Sequence, residues 1–246
     1  MLPGFTGNAG VRIPNIVTGG GGGGGSNVPS GAINILIAAS ETTSVGDTLL
    51  AKMISLASSV GYPTVTGLNV STGGDLAATY SATGYDLLLW WNDYTQGTNS
   101  IATINNFLAA GKGVVIPVFG HCYNPPYPNL TGGAAATQIS SNVSYATNTT
   151  ADTVSGTPHP IIYQVTGVGA NQGYSATSFA PTNGASIAGT WATGNPMVIY
   201  KDNSVGTSRR VDINAWPGSS WTSEASTTNM ARIVLNACFW AARKSG

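Results

Sequence analysis

Short apolar runs alternate with amphipathic segments over the first part of the long patterned region. Ala32–Ala39 is nearly continuously apolar, which is typical of a strand that is buried on both faces. Asp47 then precedes apolar residues at helical spacing that end at Gly61, so we expect a helix capped by Asp47. The same alternation predicts, in order, a strand at Pro63–Val70, a short helix with loops within Gly73–Thr83, a strand at Asp86–Trp91, a helix from Thr98 or Asn99 to Gly111 and a strand at Gly113–Phe119.

The pattern dissolves from Gly120 to Pro158 into Gly, Pro, Asn, Thr and Ser, which indicates a functional loop or an insertion. The remainder predicts strands at Ile161–Val165, Ser186–Thr190, Met197–Lys201 and Arg209–Asn214, the last two as a hairpin, and a helix from about Thr228 to Arg243. These elements predict an α/β fold: a single open, mostly parallel sheet flanked by helices, with a C-terminal β-hairpin and helix.

Seven consecutive glycines, Gly19–Gly25, separate this domain from an N-terminal arm. A glycine run has no side chains to bury, so we expect a flexible tether with a span of about 15 Å. The predicted organisation is an extended arm at residues 1–18, a tether at 19–30 and the domain at 31–246. The arm is broken by Gly and Pro but rich in apolar residues, which favours docking onto a neighbour, and a disordered terminus is the alternative. The predicted docking residues are Phe5, Val11, Ile13, Ile16 and Val17.

Charged residues make up only 7% of the 246 residues, and nine basic residues balance nine acidic ones. The absence of a basic excess argues against a nucleic-acid or anionic-membrane partner. The sequence shows neither a signal peptide nor a run long enough to cross a bilayer. A neutral, Ser/Thr/Asn-rich surface without an export signal suits a virion component made in a host cytoplasm.

The carboxyl ends of the predicted parallel strands are where such sheets bind ligands, and three segments follow them: Ser40–Ser44, Asn92–Gln96 and Gly120–Asn124. The third carries His121, Cys122 and Tyr123. Asp86 is interpreted as a strand-start residue and Asp93 as a loop residue. Cys238, on the apolar face of the last helix, is expected in the core.

Several segments carry a family resemblance: Tyr85–Leu89, the helix that ends Phe107–Gly111, Gly113–Phe119, His159–Ile161, and the pair Pro196–Tyr200 with Arg210–Ile213. Over about residues 32–243, their order resembles the class I glutamine amidotransferase-like superfamily, which has a flavodoxin-like fold. The catalytic branches of that superfamily carry a cysteine in a Gly-x-Cys-x-Gly turn after the corresponding strand, and Cys122 lies close to that position.

Two departures from that pattern favour a non-catalytic branch. Asn124 replaces the second glycine, and the chain lacks the late His-x-Glu pair that activates the thiol in the catalytic branches. The enzymatic alternative is a cysteine-dependent hydrolase or amidotransferase-like enzyme with Cys122 as nucleophile and His159 as base. His121, Cys122 and His159 lack recognisable metal-ligand spacing, so we predict no metal and no cofactor.

Aromatic residues near strand ends and in loops suit protein interfaces and carbohydrate stacking equally well. Alternation places Trp90 and Trp91 on opposite faces of the sheet, so at least one is expected in the core. The candidates for surface recognition of a receptor or glycan are Tyr94, Tyr123, Tyr127, Trp216 and Trp221, and a glycan-binding module is a second alternative.

The favoured prediction is a non-enzymatic structural protein of a large assembly, in particular a tailed-phage virion component in the capsid decoration, neck, tail or fibre. Its arm would attach it to protein subunits of the same assembly in many copies. The tether would let the domain decorate the exterior or meet a receptor.

Overall fold

The structure is a computed structural model that describes residues 27–39, 42–91, 97–117, 159–165, 179–181, 184–191, 194–215 and 230–245, together with four two-residue strands between residues 146 and 175. The arm and residues 19–26 of the tether lie outside the described residues, and so does the segment that contains Cys122. The predicted recognition aromatics also lie outside them: Tyr94, Tyr123, Tyr127, Trp216 and Trp221.

The centre of the fold is a seven-stranded sheet whose strands lie in the order β2 (Val65–Asn69), β1 (Ile33–Ala39), β3 (Leu87–Trp91), β4 (Gly113–Pro117), β11 (Arg210–Ile213), β10 (Pro196–Lys201) and β9 (Ser186–Thr190). Strands β2, β1, β3, β4 and β11 are parallel, while β10 is antiparallel to β11 and β9. This confirms the predicted open, mostly parallel sheet and its hairpin. Four further strands have two residues each and lie outside this sheet: β5 (Ala146–Thr147), β6 (Ala151–Asp152), β7 (Val168–Gly169) and β8 (Tyr174–Ser175).

In the described part of the chain, three helices flank the sheet: α1 (Thr43–Ser59), α2 (Thr98–Ala109) and α3 (Met230–Ala241). Side chains of α1 and α3 share one buried cluster with one face of the sheet, and those of α2 share a second cluster with the other face. Trp91 belongs to the first cluster and Trp90 to the second, and both are buried. The predicted placement of the two tryptophans on opposite faces is therefore confirmed.

The end of α3 crosses the amino-terminal edge of the parallel strands. A Cβ atom on Gly113, the first residue of β4, would lie 2.5 Å from the carbonyl oxygen of Ala241. Glycine is needed here because any side chain would push the helix away from the sheet. The contact holds the end of α3 against the start of β4, at the amino-terminal edge of the sheet.

The predicted helix within Gly73–Thr83 is wrong, because this segment forms turns and bends without helix. Side chains of α2 take the hydrogen bonds that a helix would have made internally. The backbone N–H of Tyr80 donates to Thr103 Oγ1 (3.0 Å), and Asn106 Nδ2 donates to the Tyr80 carbonyl (3.1 Å). The segment is thereby tied to its neighbour rather than folded on itself.

The predicted strand at Ile161–Val165 is also wrong, because Pro160–Ile162 forms a 3₁₀ turn. Pro160 has no N–H for a strand ladder. The side chain of Asn236 on α3 donates to the carbonyls of Ile161 (3.1 Å) and Tyr163 (3.0 Å). These carbonyls are thus satisfied by a helix side chain, which leaves the sheet with β9 as its edge.

Candidate functional site

The junction between β1 and β3 is where ligands bind in doubly wound sheets. From this junction the chain proceeds through α1 to β2 on one side and through α2 to β4 on the other. Of the three segments predicted to meet at the carboxyl edge, the structure describes Thr42–Ser44 at the start of α1. Residues 40, 41, 92–96 and 120–124 lie outside the described residues. The roles predicted for His121 and Cys122 therefore stay predictions.

The start of α1 is held to the end of β2 by Asn69. Asn69 Nδ2 donates to the Thr43 carbonyl (2.7 Å) and to Asp47 Oδ1 (3.0 Å), while Asn69 Oδ1 accepts from Ser71 N (3.1 Å) and Ser71 Oγ (2.6 Å). A Cβ atom on Gly46 would lie 2.2 Å from Asn69 Oδ1, so this approach requires glycine. The polar groups of Asn69 are thus engaged within the chain.

The predicted role of Asp47 as the cap of α1 is wrong. The helix begins four residues earlier, at Thr43, and the N-cap residue is Thr42, which makes no side-chain capping bond. Asp47 lies beyond the first turn and accepts the Asn69 amide instead. The spacing of apolar residues identified the buried face of α1. Its first turn is polar, so the same spacing does not show where the helix begins.

The start of α2 is capped by a carboxylate from outside the helix. Asp75 Oδ1 accepts from Ser100 N (2.9 Å) and Ser100 Oγ (2.8 Å), and Asp75 Oδ2 accepts from Asn99 N (3.1 Å). Burial by itself would raise the pKa of Asp75, but the hydrogen bonds from Ser100, Asn99 and Leu76 outweigh it and lower the pKa. The carboxylate therefore stays ionised where an anionic ligand group would otherwise meet the helix.

Gly97, the N-cap residue of α2, makes room for this carboxylate. A Cβ atom at Gly97 would lie 1.5 Å from Asp75 Cγ, so no other residue fits while Asp75 occupies the position. The backbone φ of Gly97 is −100°, which all residues adopt, so glycine is required here for space alone. Sequence reasoning missed this cap because Asp75 lies outside the helix.

His159 packs at the amino-terminal edge of the parallel strands. Its ring lies 4.0 Å from the Tyr200 ring and 5.3 Å from the Trp240 ring, measured between centroids. His159 Nδ1 accepts a hydrogen bond from Ile161 N (3.2 Å), which caps the 3₁₀ turn. Burial, reinforced by the charge of Arg209, lowers the pKa of His159 to about 4. In contrast, β4, the strand that precedes Gly120–Asn124 in the sequence, ends at Pro117 at the carboxyl edge of the sheet, and Gly120–Asn124 themselves lie outside the described residues.

A buried ion pair lies within β11. Arg210 Nε is 2.8 Å from Asp212 Oδ1 and Arg210 Nη2 is 3.1 Å from Asp212 Oδ2, with both side chains inaccessible to solvent. Arg210 Nη1 is buried without a hydrogen-bond partner. The sequence signal for this pair is two opposite charges at alternate positions of a predicted strand, in a chain that is poor in charge.

Arg232 is a second buried cation that the sequence analysis did not single out. Its Nη2 donates to the Tyr62 hydroxyl (2.9 Å) and to Gln164 Oε1 (2.9 Å), and its Nε donates to Asn236 Oδ1 (3.2 Å). The guanidinium also lies over the Tyr62 ring, 4.4 Å from its centroid. Neutral oxygens and a π face thus stabilise this charge and join α3 to the loop after α1.

Cys238 is fully buried on α3, as predicted, and burial raises its pKa well above the ordinary value. The described residues contain no group of three His, Cys, Asp or Glu side chains that could hold a metal ion. In the same part of the chain, no helix combines the length and apolar character needed to cross a membrane.

Known family models and curated proteins provide no match to this chain. Among solved structures, the chain is similar to a ThuA-like protein from Parabacteroides merdae ATCC 43184. The TM-score is 0.56 at 15% identity, over 86% of this chain and 90% of that protein. It is also similar to the β-galactosidase of Rahnella sp. R3, with a TM-score of 0.48 at 14% identity, over 85% of this chain and 30% of that enzyme.

Likeness at this level of identity shows the fold alone. The chain therefore has an α/β fold similar to that of a ThuA-like protein, and the ThuA family has a glutamine amidotransferase-like fold. This agrees with the fold that the sequence resemblance implied. Neither neighbour is described as a virion protein, so the virion assignment stays a prediction.

Proposed function

We propose that this chain is a non-enzymatic structural protein of a multi-copy assembly, and specifically a virion component of a tailed bacteriophage. Residues 1–18 attach it to a neighbouring subunit, and the glycine run Gly19–Gly25 lets the α/β domain stand away from the attachment point. The low charge content, with nine basic and nine acidic residues, supports a neutral outer surface.

One observation supports the non-enzymatic part of the proposal: the carboxylate of Asp75 occupies the start of α2, one of the two helices that begin at the β1–β3 junction. In a flavodoxin-like sheet, the helix that follows the ligand-binding junction offers its first N–H groups to an anionic substrate or to a developing oxyanion. Here the N–H groups of Asn99 and Ser100 are taken by the chain's own negative charge. The location of His159 in an aromatic stack at the other edge supports the same conclusion.

Incorporation into particles tests the proposal directly. The phage that encodes the chain is complemented with either the tagged full chain or a variant that lacks residues 1–25, and purified particles are analysed by immunoblot. We expect the truncated protein to fold, as judged by circular dichroism, and to be absent from the particles. Normal incorporation of the truncated protein would overturn the anchoring role.

A thiol-reactive probe tests the non-enzymatic part separately. Catalytic cysteines are labelled much faster than free thiols at neutral pH because they are thiolates. We expect Cys122 to react no faster than a free thiol, measured in a Cys238→Ala variant so that one thiol remains. Labelling of Cys122 far above that rate, and its loss on replacement of His159, would favour the cysteine-dependent enzyme instead.

A further inference from the structure

Strand β2 leaves one side of its backbone open at the border of the sheet. On its inner side, Thr64 O accepts from Ile33 N (3.0 Å) and Val70 N donates to Ile37 O (2.8 Å). Because strand backbone groups alternate in direction, the N–H and C=O groups of Val65, Gly67 and Asn69 point away from β1. Among the described residues, no strand pairs with this outer side.

The β2 edge lacks the usual devices that prevent further pairing. Residues 65–69 include neither a charged side chain nor a proline, and their register with β1 is unbroken over five residue pairs. The opposite edge differs, because the pairing of β9 with β10 shifts register near Pro196 and Val198. Such a bulge twists an edge strand away from a flat partner. Of the two edges, β2 is thus the one suited to accept another strand.

Apolar side chains flank this open edge on both faces of the sheet. Leu68 is 48% exposed and lies on the α2 face, beside Leu36 of the buried cluster there. Ile54 is 43% exposed on α1, one turn after Leu50, whose Cδ1 would lie 3.1 Å from a Cβ atom on Gly67. An added strand would therefore meet an exposed apolar residue on each of its faces.

We propose that residues 11–17 of one copy pair with the outer side of β2 in a second copy of this chain. Pro14 sets the register, because a residue without an N–H is tolerated in an edge strand only where it points away from its neighbour. Val11, Ile13, Asn15 and Val17 then direct their backbone groups to β2, while Arg12, Pro14 and Ile16 direct theirs outward. Pro14 would also stop a further strand from joining.

The side chains of this segment match the two flanked faces. In an extended strand, Val11, Ile13 and Val17 would lie on one face, and Ile16 would lie on the other. Both faces thus carry apolar side chains that can cover Leu68 or Ile54. A strand with apolar groups on one face alone would leave one of these residues exposed.

The tether is long enough for the arm to reach a second copy, and the proposed attachment role of the arm assigns it to that copy rather than to the chain's own edge. The open side of β2 lies two strand spacings from β1, or about 10 Å. Residues 18–27 have a root-mean-square span of about 17 Å and a maximum reach of about 33 Å. Each copy carries one arm and one β2 edge, so two copies that exchange arms close into a dimer, whereas one-way pairing continues into a ring or filament. The inference rests on the proposed attachment role of the arm and names its partner surface.

Sedimentation velocity of the full chain over a range of concentrations tests the pairing. We expect Asn15→Pro to raise the dissociation constant between copies at least about tenfold, since it removes an inward N–H without loss of apolar area. Ile16→Pro is the matched control: it removes an apolar side chain but only an outward N–H, and we expect a smaller effect. On the domain, Leu68→Lys is expected to weaken association at least about tenfold, whereas Ile187→Lys on β9 should not.

The outcomes separate this inference from the proposed function. Equal effects of Asn15→Pro and Ile16→Pro, or of Leu68→Lys and Ile187→Lys, would overturn the strand pairing. A monomeric full chain whose residues 65–69 are protected from hydrogen exchange would place the arm on its own edge and overturn the second-copy assignment. If deletion of residues 1–25 abolishes particle incorporation but Leu68→Lys does not, only this docking surface is wrong. Circular dichroism of each variant establishes that the domain is folded.

Discussion

Replacement of Gly97 by alanine is a sensitive test of the cap that Asp75 provides to α2. The new Cβ atom would lie 1.5 Å from Asp75 Cγ, so the carboxylate must leave the helix start. The backbone at Gly97, with φ −100°, accepts alanine without strain. The loss of stability then comes mainly from the displaced carboxylate and its neighbours, with a smaller part from alanine as a poorer N-cap residue than glycine.

The magnitude follows from the contacts that would be lost. Removal of a side-chain cap costs about 0.5–2 kcal/mol, and removal of a negative charge from a helix start costs about 0.3–1 kcal/mol more. The buried hydroxyl of Ser100 also loses its acceptor, at about 1–3 kcal/mol if it stays unpaired. Because Asp75 is only partly buried, solvent screening favours the lower end of this sum, about 2 kcal/mol.

Urea unfolding at pH 7, followed by tryptophan fluorescence, measures this loss. Gly74→Ala is the matched control, since a Cβ atom at Gly74 meets nothing within 4 Å. Gly74→Ala is expected to be neutral or to stabilise by about 0.4–1 kcal/mol through the unfolded chain. Equal unfolding midpoints for Gly97→Ala and Gly74→Ala would refute the capping role of Asp75.

Three further outcomes follow from the buried groups. The folded-state pKa of His159, about 4, lies below its unfolded value of 6.5, so its contribution to stability is present above pH 6.5 and is lost as the pH falls towards 4. The substitution His159→Asn keeps a cap for Ile161 N, and it should make the midpoint of urea unfolding depend less on pH over this range. Arg210→Met alone should destabilise by about 3–5 kcal/mol because it leaves Asp212 buried and unpaired, whereas Arg210→Met with Asp212→Leu should recover most of that loss in the same assay. Cys238 should stay unlabelled by a thiol reagent in native protein and react after unfolding in urea, and native labelling would contradict its burial.

The spacing of apolar residues predicted those strands and helices whose burial is visible in their own sequence. The runs at β3 and β4 are buried along their whole length, and β1 is buried at every residue except Asn34. The apolar spacing of α1 and α2 agrees with the faces they bury, whereas α3 is buried at every position. The paired tryptophans, Trp90 and Trp91, illustrate why this works. Alternation along one strand decides which side chain reaches which face, whatever the rest of the chain does.

The same reasoning failed where backbone groups are satisfied by distant side chains. Ile161 and Tyr163 have the apolar character of a strand, but the Asn236 amide, more than seventy residues away, binds their carbonyls. Tyr80 is likewise held by Thr103 and Asn106 of α2 rather than by its own segment. No local pattern reports such pairs.

The sequence by itself determined the alternation of strands and helices and the burial of Cys238. It also predicts the division into arm, tether and domain. The tertiary structure decided the order of the strands, the open outer side of β2 and the carboxylate of Asp75 at the start of α2. The reason is physical. Burial of a side chain on one element is encoded in the period of that element, whereas the meeting of Asp75, Gly97 and Ser100 depends on the path of the whole chain.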